Sequence, residues 1–170
     1  MKPKHIKARI KQCLAIAECS NCPRAKHGCV IVDKESNVVL QDGYNGGPRN
    51  GTELCGDGFC IRDRLHLKSG ENCQIGCSHA ESNCVCNAAR LGISLNGAVA
   101  FVSGEPCLMC SKMLHHAGIS KVTVIQGGYS SDDGPKYLRS NGVEVDYVDK
   151  EGNSLTVGTN TFINCKNFDD

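Results

Sequence analysis

The sequence carries almost no excess of charge of either sign: 19 Lys plus Arg stand against 18 Asp plus Glu, a net +1 at pH 7. Without such an excess there is no electrostatic footprint for a polyanion. A nucleic-acid or anionic-membrane binder is disfavoured, whereas a small phosphate-bearing ligand is not. Long apolar runs are missing as well. None approaches the length that crosses a bilayer, and the opening stretch, with five basic residues between Lys2 and Lys11, lacks the unbroken apolar segment of a signal peptide. The expectation is a soluble, cytoplasmic protein with neither membrane nor nucleic acid as partner. Repeats, low-complexity tracts and composition breaks are also absent, so residues 1–170 read as a single domain, long enough to bury its own core.

What the chain has in unusual amount is cysteine, 13 residues in 170. The count is odd and no secretion signal precedes it. In a reducing compartment thiols at this density are metal ligands or buried small hydrophobes rather than bridges.

Apolar periodicity supplies the elements. Ile6, Ile10, Cys13, Leu14 and Ala17 share one face of a helix over 4–18. Val30–Val32 and Val38–Leu40 read as a β-hairpin, followed by the turn-rich Gly43-Tyr44-Asn45-Gly46-Gly47-Pro48. Residues 51–78 show no sustained period but hold four cysteines, and a stretch of that length needs a functional or metal-bound explanation. A helix over His79–Leu91 stopped by Gly92, a strand over Gly97–Val102, a helix opened by Pro106 and ended by Gly118, a strand over Val122–Ile125, a helix over Pro135–Asn141 and a strand over Val143–Val148 complete the chain. The order α, β, β, α, β, α, β, α, β is an α/β pattern with right-handed crossovers and helices on both sheet faces. Residues 51–78 form a cysteine-rich insertion and 151–170 a C-terminal tail.

The chemistry lies in two separated pieces, His79-Ala80-Glu81 and Pro106-Cys107-Leu108-Met109-Cys110, each at the start of a helix. Cysteines three apart on a helix face the same side, and the positive helix end favours thiolates. Cys107, Cys110 and His79 make three zinc ligands and leave a fourth position open, the arrangement of a catalytic rather than a structural zinc. Glu81 lies two residues from His79, off the face that binds metal. It stands where a proton can be taken from water acidified by the metal and delivered to a substrate nitrogen.

Joined to the Gly43-Tyr44-Asn45-Gly46 loop with Pro48, to Ser82-Asn83 and to Arg90, these motifs resemble the zinc-dependent cytidine deaminase superfamily and, within it, the deoxycytidylate (dCMP) deaminases. The resemblance runs from about Ala8 to Val148. It implies a cytidine deaminase-like three-layer α/β/α fold with a five-stranded mixed sheet, and hydrolytic deamination of dCMP to dUMP and ammonia, which supplies dUMP for dTMP synthesis. It implies further a homohexamer activated by dCTP and inhibited by dTTP, with Mg2+ accompanying the triphosphate. Carried onto this chain, it gives His79, Cys107 and Cys110 as ligands and Glu81 as proton shuttle. Asn45, Ala80 and Tyr129 become substrate contacts, with Arg24 and Lys26 as candidate phosphate contacts. Gly43, Tyr44, Asn45, Gly46 and Arg90 fall in the effector site. Cys22, Cys55, Cys60 and Cys77 match the positions of a second, structural zinc, with Cys73 and Cys19 as nearby substitutes. Cys13, Cys29, Cys84, Cys86 and Cys165 are expected to pack as small hydrophobes, and His115 and His116 to be solvated.

Ser103-Gly104-Glu105 departs from the usual approach to the Pro-Cys motif. Glu105-Pro106-Cys107 with Met109 is similar to tRNA adenosine or guanine deaminases, which keeps a purine substrate as the alternative. A non-catalytic zinc-organised binding module is the remaining reading. Glu81 argues against it, because a structural site has no use for an acid/base residue beside an open coordination position.

Overall fold

The structure, a computed structural model, describes residues 1–51, 53–56, 58–69, 71–126 and 132–155. Pro3 opens α1 (Pro3–Ala17), where a missing N–H costs nothing. There follow β1 (Gly28–Val32), β2 (Val39–Tyr44), the two-residue strands β3 (Cys55–Gly56) and β4 (Phe59–Cys60), and the single-turn α2 (Ile61–Arg64). The second half runs α3 (Ala80–Leu91), β5 (Val99–Val102), α4 (Leu108–His116), β6 (Lys121–Ile125), α5 (Asp133–Ser140) and β7 (Glu144–Val148).

Five strands form one mixed sheet in the order β2-β1-β5-β6-β7. β1 pairs antiparallel with both β2 and β5, while β5, β6 and β7 are parallel and joined by the crossover helices α4 and α5. The expected α/β sheet with helices on both faces is therefore what the chain forms. Alternation explains the layers. Along β1, Cys29 and Ile31 enter the core shared with Ala80, Cys84 and Ala88 of α3, whereas Val30 and Val32 enter the core shared with Ile10 and Cys13 of α1. α1 thus covers one face, and α3, α4 and α5 the other.

The aperiodic 51–78 segment carries more order than its sequence announces. Cys55 and Gly56 pair with Cys60 and Phe59, and α2 follows at once, its Ile61 N–H donating to the Leu54 carbonyl at 3.0 Å. Arg24 ties this insertion to the body by donating to the Leu67 carbonyl at 2.9 Å and by an ion pair with Asp63 at 3.3 Å.

One contact couples the fold to the start of α4. Gly134 of α5 lies so close to the Pro106 carbonyl that a Cβ would collide with it, and that Cβ would also stand 2.7 Å from Ser111 Oγ. Gly134→Ala must push α5 away from the segment that enters α4. The expected cost is about 1–3 kcal/mol in denaturant unfolding, together with weaker metal retention; wild-type stability in this variant would contradict the contact.

Candidate active site

Two helix N-termini meet, those of α3 and α4. His79 is the N-cap residue of α3, in extended backbone, and its carbonyl accepts the Asn83 N–H at 3.0 Å. The approach is pinned from outside the helix: Ser78 and Gly46 exchange main-chain hydrogen bonds of 2.9 and 3.1 Å, and Asn83 Nδ2 donates to the Tyr44 carbonyl at 2.8 Å. Gly92, at φ +68°, closes the far end of α3. Cys107 is likewise the N-cap of α4, its carbonyl accepting the Ser111 N–H at 2.9 Å. The sequence placed Pro106 at the first helical position; the helix instead starts two residues later, because the Cys107 carbonyl is the first acceptor of the helical ladder. The shift leaves a thiol at the cap itself, where the helix end is most positive.

His79 Nδ1 lies 3.6 Å from Cys107 Sγ and 3.5 Å from Cys110 Sγ, and the three donor atoms fall within 4.8 Å of one another. Donation from Cys110 and from the His79 imidazole holds the Cys107 thiol down at about 4. The Cys110 thiol, giving its proton toward Cys107, is pushed up. The His79 imidazole is shifted up as well, chiefly by its bond to Cys107. One half-buried imidazole and two buried soft sulfurs, one already acidic, are a donor set that suits zinc.

Glu81 sits one residue inside the same helix end and only 7% exposed. Burial raises its carboxyl above the usual carboxylate range, against the opposing charge of His79. It stands beside the three donors and not among them. In front of the group opens a cavity of about 170 Å³, whose wall includes Cys73, Gln74, Ser82 and Met109. The sequence offered Cys73 as a substitute ligand of a second metal, and nothing in it singled out Gln74 or Met109 as cavity wall. A turn-forming segment and an exposed helical position leave no periodic signal.

A second group brings Cys22, Cys55 and Cys77 within 4.8 Å of one another. The Cys22 thiol is lowered to about 4, mainly by donation from Cys77 with help from the Ala25 and Arg24 N–H groups, while burial pushes Cys55 up to about 11. Cys60, the fourth member expected from the sequence, is paired with Cys55 across the β3–β4 ladder and lies outside this group.

The remaining expected site residues are distributed as follows. Ala80 is fully buried in the first turn of α3. Asn45, 4% exposed, spends its amide inside the fold: Oδ1 accepts from the His27 N–H at 2.7 Å and Nδ2 donates to the Ala25 carbonyl at 2.9 Å, with Cys77 Sγ 3.9 Å away. Arg24 is engaged with Leu67 and Asp63, and Lys26 with Glu18 at 2.9 Å, so neither is directed at the cavity. Gly43 packs against Ala80 and Cys84, Tyr44 is exposed, and Gly46 makes the bridge to Ser78. Arg90 is exposed in the last turn of α3, about 10 Å along the helix from Asn83 at 1.5 Å per residue. Tyr129 lies outside the described residues.

Residues 3–126 match the family described as the cytidine and deoxycytidylate deaminase zinc-binding region. The chain is 36% identical over 117 residues to the deoxycytidylate deaminase of Schizosaccharomyces pombe, a match covering 68% of this chain and 35% of that protein. It is 33% identical over 148 residues to the deoxycytidylate deaminase of Saccharomyces cerevisiae, covering 85% of this chain and 45% of the yeast protein. It therefore spans less than half the length of these two relatives. Among solved structures, the dCMP deaminase of cyanophage S-TIM5 in complex with dCMP and dUMP superposes with a TM-score of 0.73 at 31% identity, covering 87% of this chain and 99% of that one. With the two ligand motifs at helix starts and a family match across most of its length, the chain belongs to the cytidine and deoxycytidylate deaminase family.

Proposed function

We propose that the protein is a dCMP deaminase that converts dCMP and water to dUMP and ammonia. The observation that carries this reading is the convergence of His79 with the buried Cys107 and Cys110, with Glu81 beside them and a cavity in front. His79, Cys107 and Cys110 would hold a zinc ion, which when bound supplies Lewis acidity and lowers the pKa of water. The protein's own part is proton management. Glu81, its carboxyl shifted upward by burial, accepts one proton from the attacking water and passes it to the ring nitrogen, then carries the second water proton to the amine, which leaves as ammonia when the C4–N bond breaks. The helix ends that cap the site favour negative charge on the thiolates. Ala80 borders the base, and Asn45 organises the adjoining loop by clipping His27 and Ala25 in place. Arg24 or Lys26 would have to exchange its protein partner for the phosphate.

Cys22, Cys55 and Cys77 hold a second zinc in this reading, with Cys60, the ladder partner of Cys55, offered for its fourth position. The whole chain is then one domain, its 51–78 insertion organised by that metal. The resemblance also supplies the finer proposal of a cytoplasmic homohexamer with dCTP as activator, Mg2+ at its phosphates, dTTP as inhibitor, and Gly43–Gly46 with Arg90 at the effector site. No helix among the described residues is long and apolar enough to cross a membrane.

Three outcomes test this. In an ultraviolet assay dCMP is turned over faster than cytidine or guanine, and Glu81→Gln loses about 10²- to 10⁴-fold in rate while still binding dCMP. Because burial raises the Glu81 pKa, the ionised base is lost on acidification above the ordinary value of 4.5, so the acid limb of kcat/KM lies above that pH. Preferred turnover of guanine, or an active Glu81→Gln, overturns the reading. Metal analysis is expected to find two zinc ions per chain. Cys107→Ser keeps one and loses activity, and Cys55→Ser keeps the other with a lowered melting temperature; one zinc in the active wild type removes the second site. Finally, Arg90→Glu abolishes the response to dCTP and dTTP while basal deamination persists, and unchanged dTTP inhibition would make Arg90 a helix-end charge only.

A further inference from the structure

Four main-chain carbonyls converge on one side chain outside both cysteine groups. From α2, Arg62 donates through Nη1 to the carbonyls of Asn72 at 3.0 Å and Ile75 at 2.8 Å, and through Nη2 to those of Lys68 at 2.7 Å and Glu71 at 2.5 Å. Its aliphatic stem lies against Gly76, where a Cβ would stand 2.9 Å from Cδ and 3.0 Å from Cγ. Gly76 also holds φ at +121°, so both the space and the backbone there call for glycine. Among the described residues the guanidinium has no carboxylate partner. All of its charge-assisted bonds go to the turns that follow its own helix.

Within those turns the Glu71 N–H donates to the Lys68 carbonyl at 3.2 Å, the Ile75 N–H to the Asn72 carbonyl at 2.9 Å, and the Lys68 N–H to Glu71 Oε2 at 3.0 Å. They carry Cys73 and Gln74 into the wall of the cavity before His79, Cys107 and Cys110. A planar fork can serve four acceptors together, which a lysine ammonium on a flexible stem cannot.

We propose that Arg62 is a positioning residue: by clamping the Lys68–Ile75 carbonyls it fixes the cavity wall formed by Cys73 and Gln74, and so sets the enzyme's affinity for its nucleotide without touching it. This rests on the deaminase reading above.

The test compares Arg62→Ala and Arg62→Lys with wild type in two arms. In hydrogen exchange without substrate, amides within 67–76 lose protection in both variants, whereas those of α3 and the central sheet do not. In dCMP turnover, KM rises about tenfold or more in both variants while kcat changes less and the metal content stays at the wild-type value. If Arg62→Ala does not fold, Arg62→Lys, which keeps stem and charge, carries both arms. Unchanged protection, or a wild-type KM in Arg62→Lys, overturns the clamp; recovery by lysine would mean that charge alone matters. A wild-type protein that fails to deaminate dCMP sinks the functional reading by itself, and the exchange arm then decides on the clamp.

Discussion

The meeting of the α3 and α4 N-termini is the constraint on which the rest of the structure depends. Each helix starts with a metal-type donor at its N-cap, His79 in one and Cys107 in the other. The orphan N–H groups there create a positive field in which a thiolate is stable, and they leave no room for a conventional serine or aspartate cap. Both helices lie on the same face of the sheet, so the parallel β5-α4-β6 crossover and the antiparallel β1–β5 pairing together bring the two ends into register. Gly134 then lets α5 approach the Pro106 carbonyl closely enough to brace the entry to α4.

The cysteines divide according to the same electrostatics. Cys107 and Cys22 sit among thiol, imidazole or N–H donors and are acidified. Cys13 and Cys29 are fully enclosed by the core and shifted the other way by burial and by the neighbouring Cys84. Cys13 donates to the Gly28 carbonyl at 3.2 Å, and Cys84 to that of Cys29 at 3.5 Å, so these thiols behave as small apolar groups with a weak donor. One residue type thus serves as metal donor and as packing.

Much of this is legible in the sequence because it is local. Helix starts, the glycine stop at Gly92 and the alternation along β1 are written in adjacent residues. So are two short ligand motifs whose side chains need only be aimed by their own helices. The details that escape are long-range. Which of Cys55, Cys60, Cys73 and Cys77 meet depends on how an aperiodic segment closes, and that closure is made by Arg24 and Arg62 reaching main-chain carbonyls, which leaves no period to read. The Asn45 amide faces His27 and Ala25 for the same reason. Cys86, expected to pack inside, is exposed, and His115, expected in solvent, is half-buried with Nδ1 3.0 Å from the Tyr137 hydroxyl.

The most direct measurement is a crystal structure of the zinc-loaded protein with anomalous diffraction recorded at the zinc edge. The expected result is a peak bonded to His79 Nδ1 at about 2.0–2.1 Å and to Cys107 and Cys110 Sγ at about 2.3 Å, with the Glu81 carboxylate beside the metal and beyond bonding distance. A metal that takes Glu81 as a ligand, or no peak between the two helix ends, would contradict it.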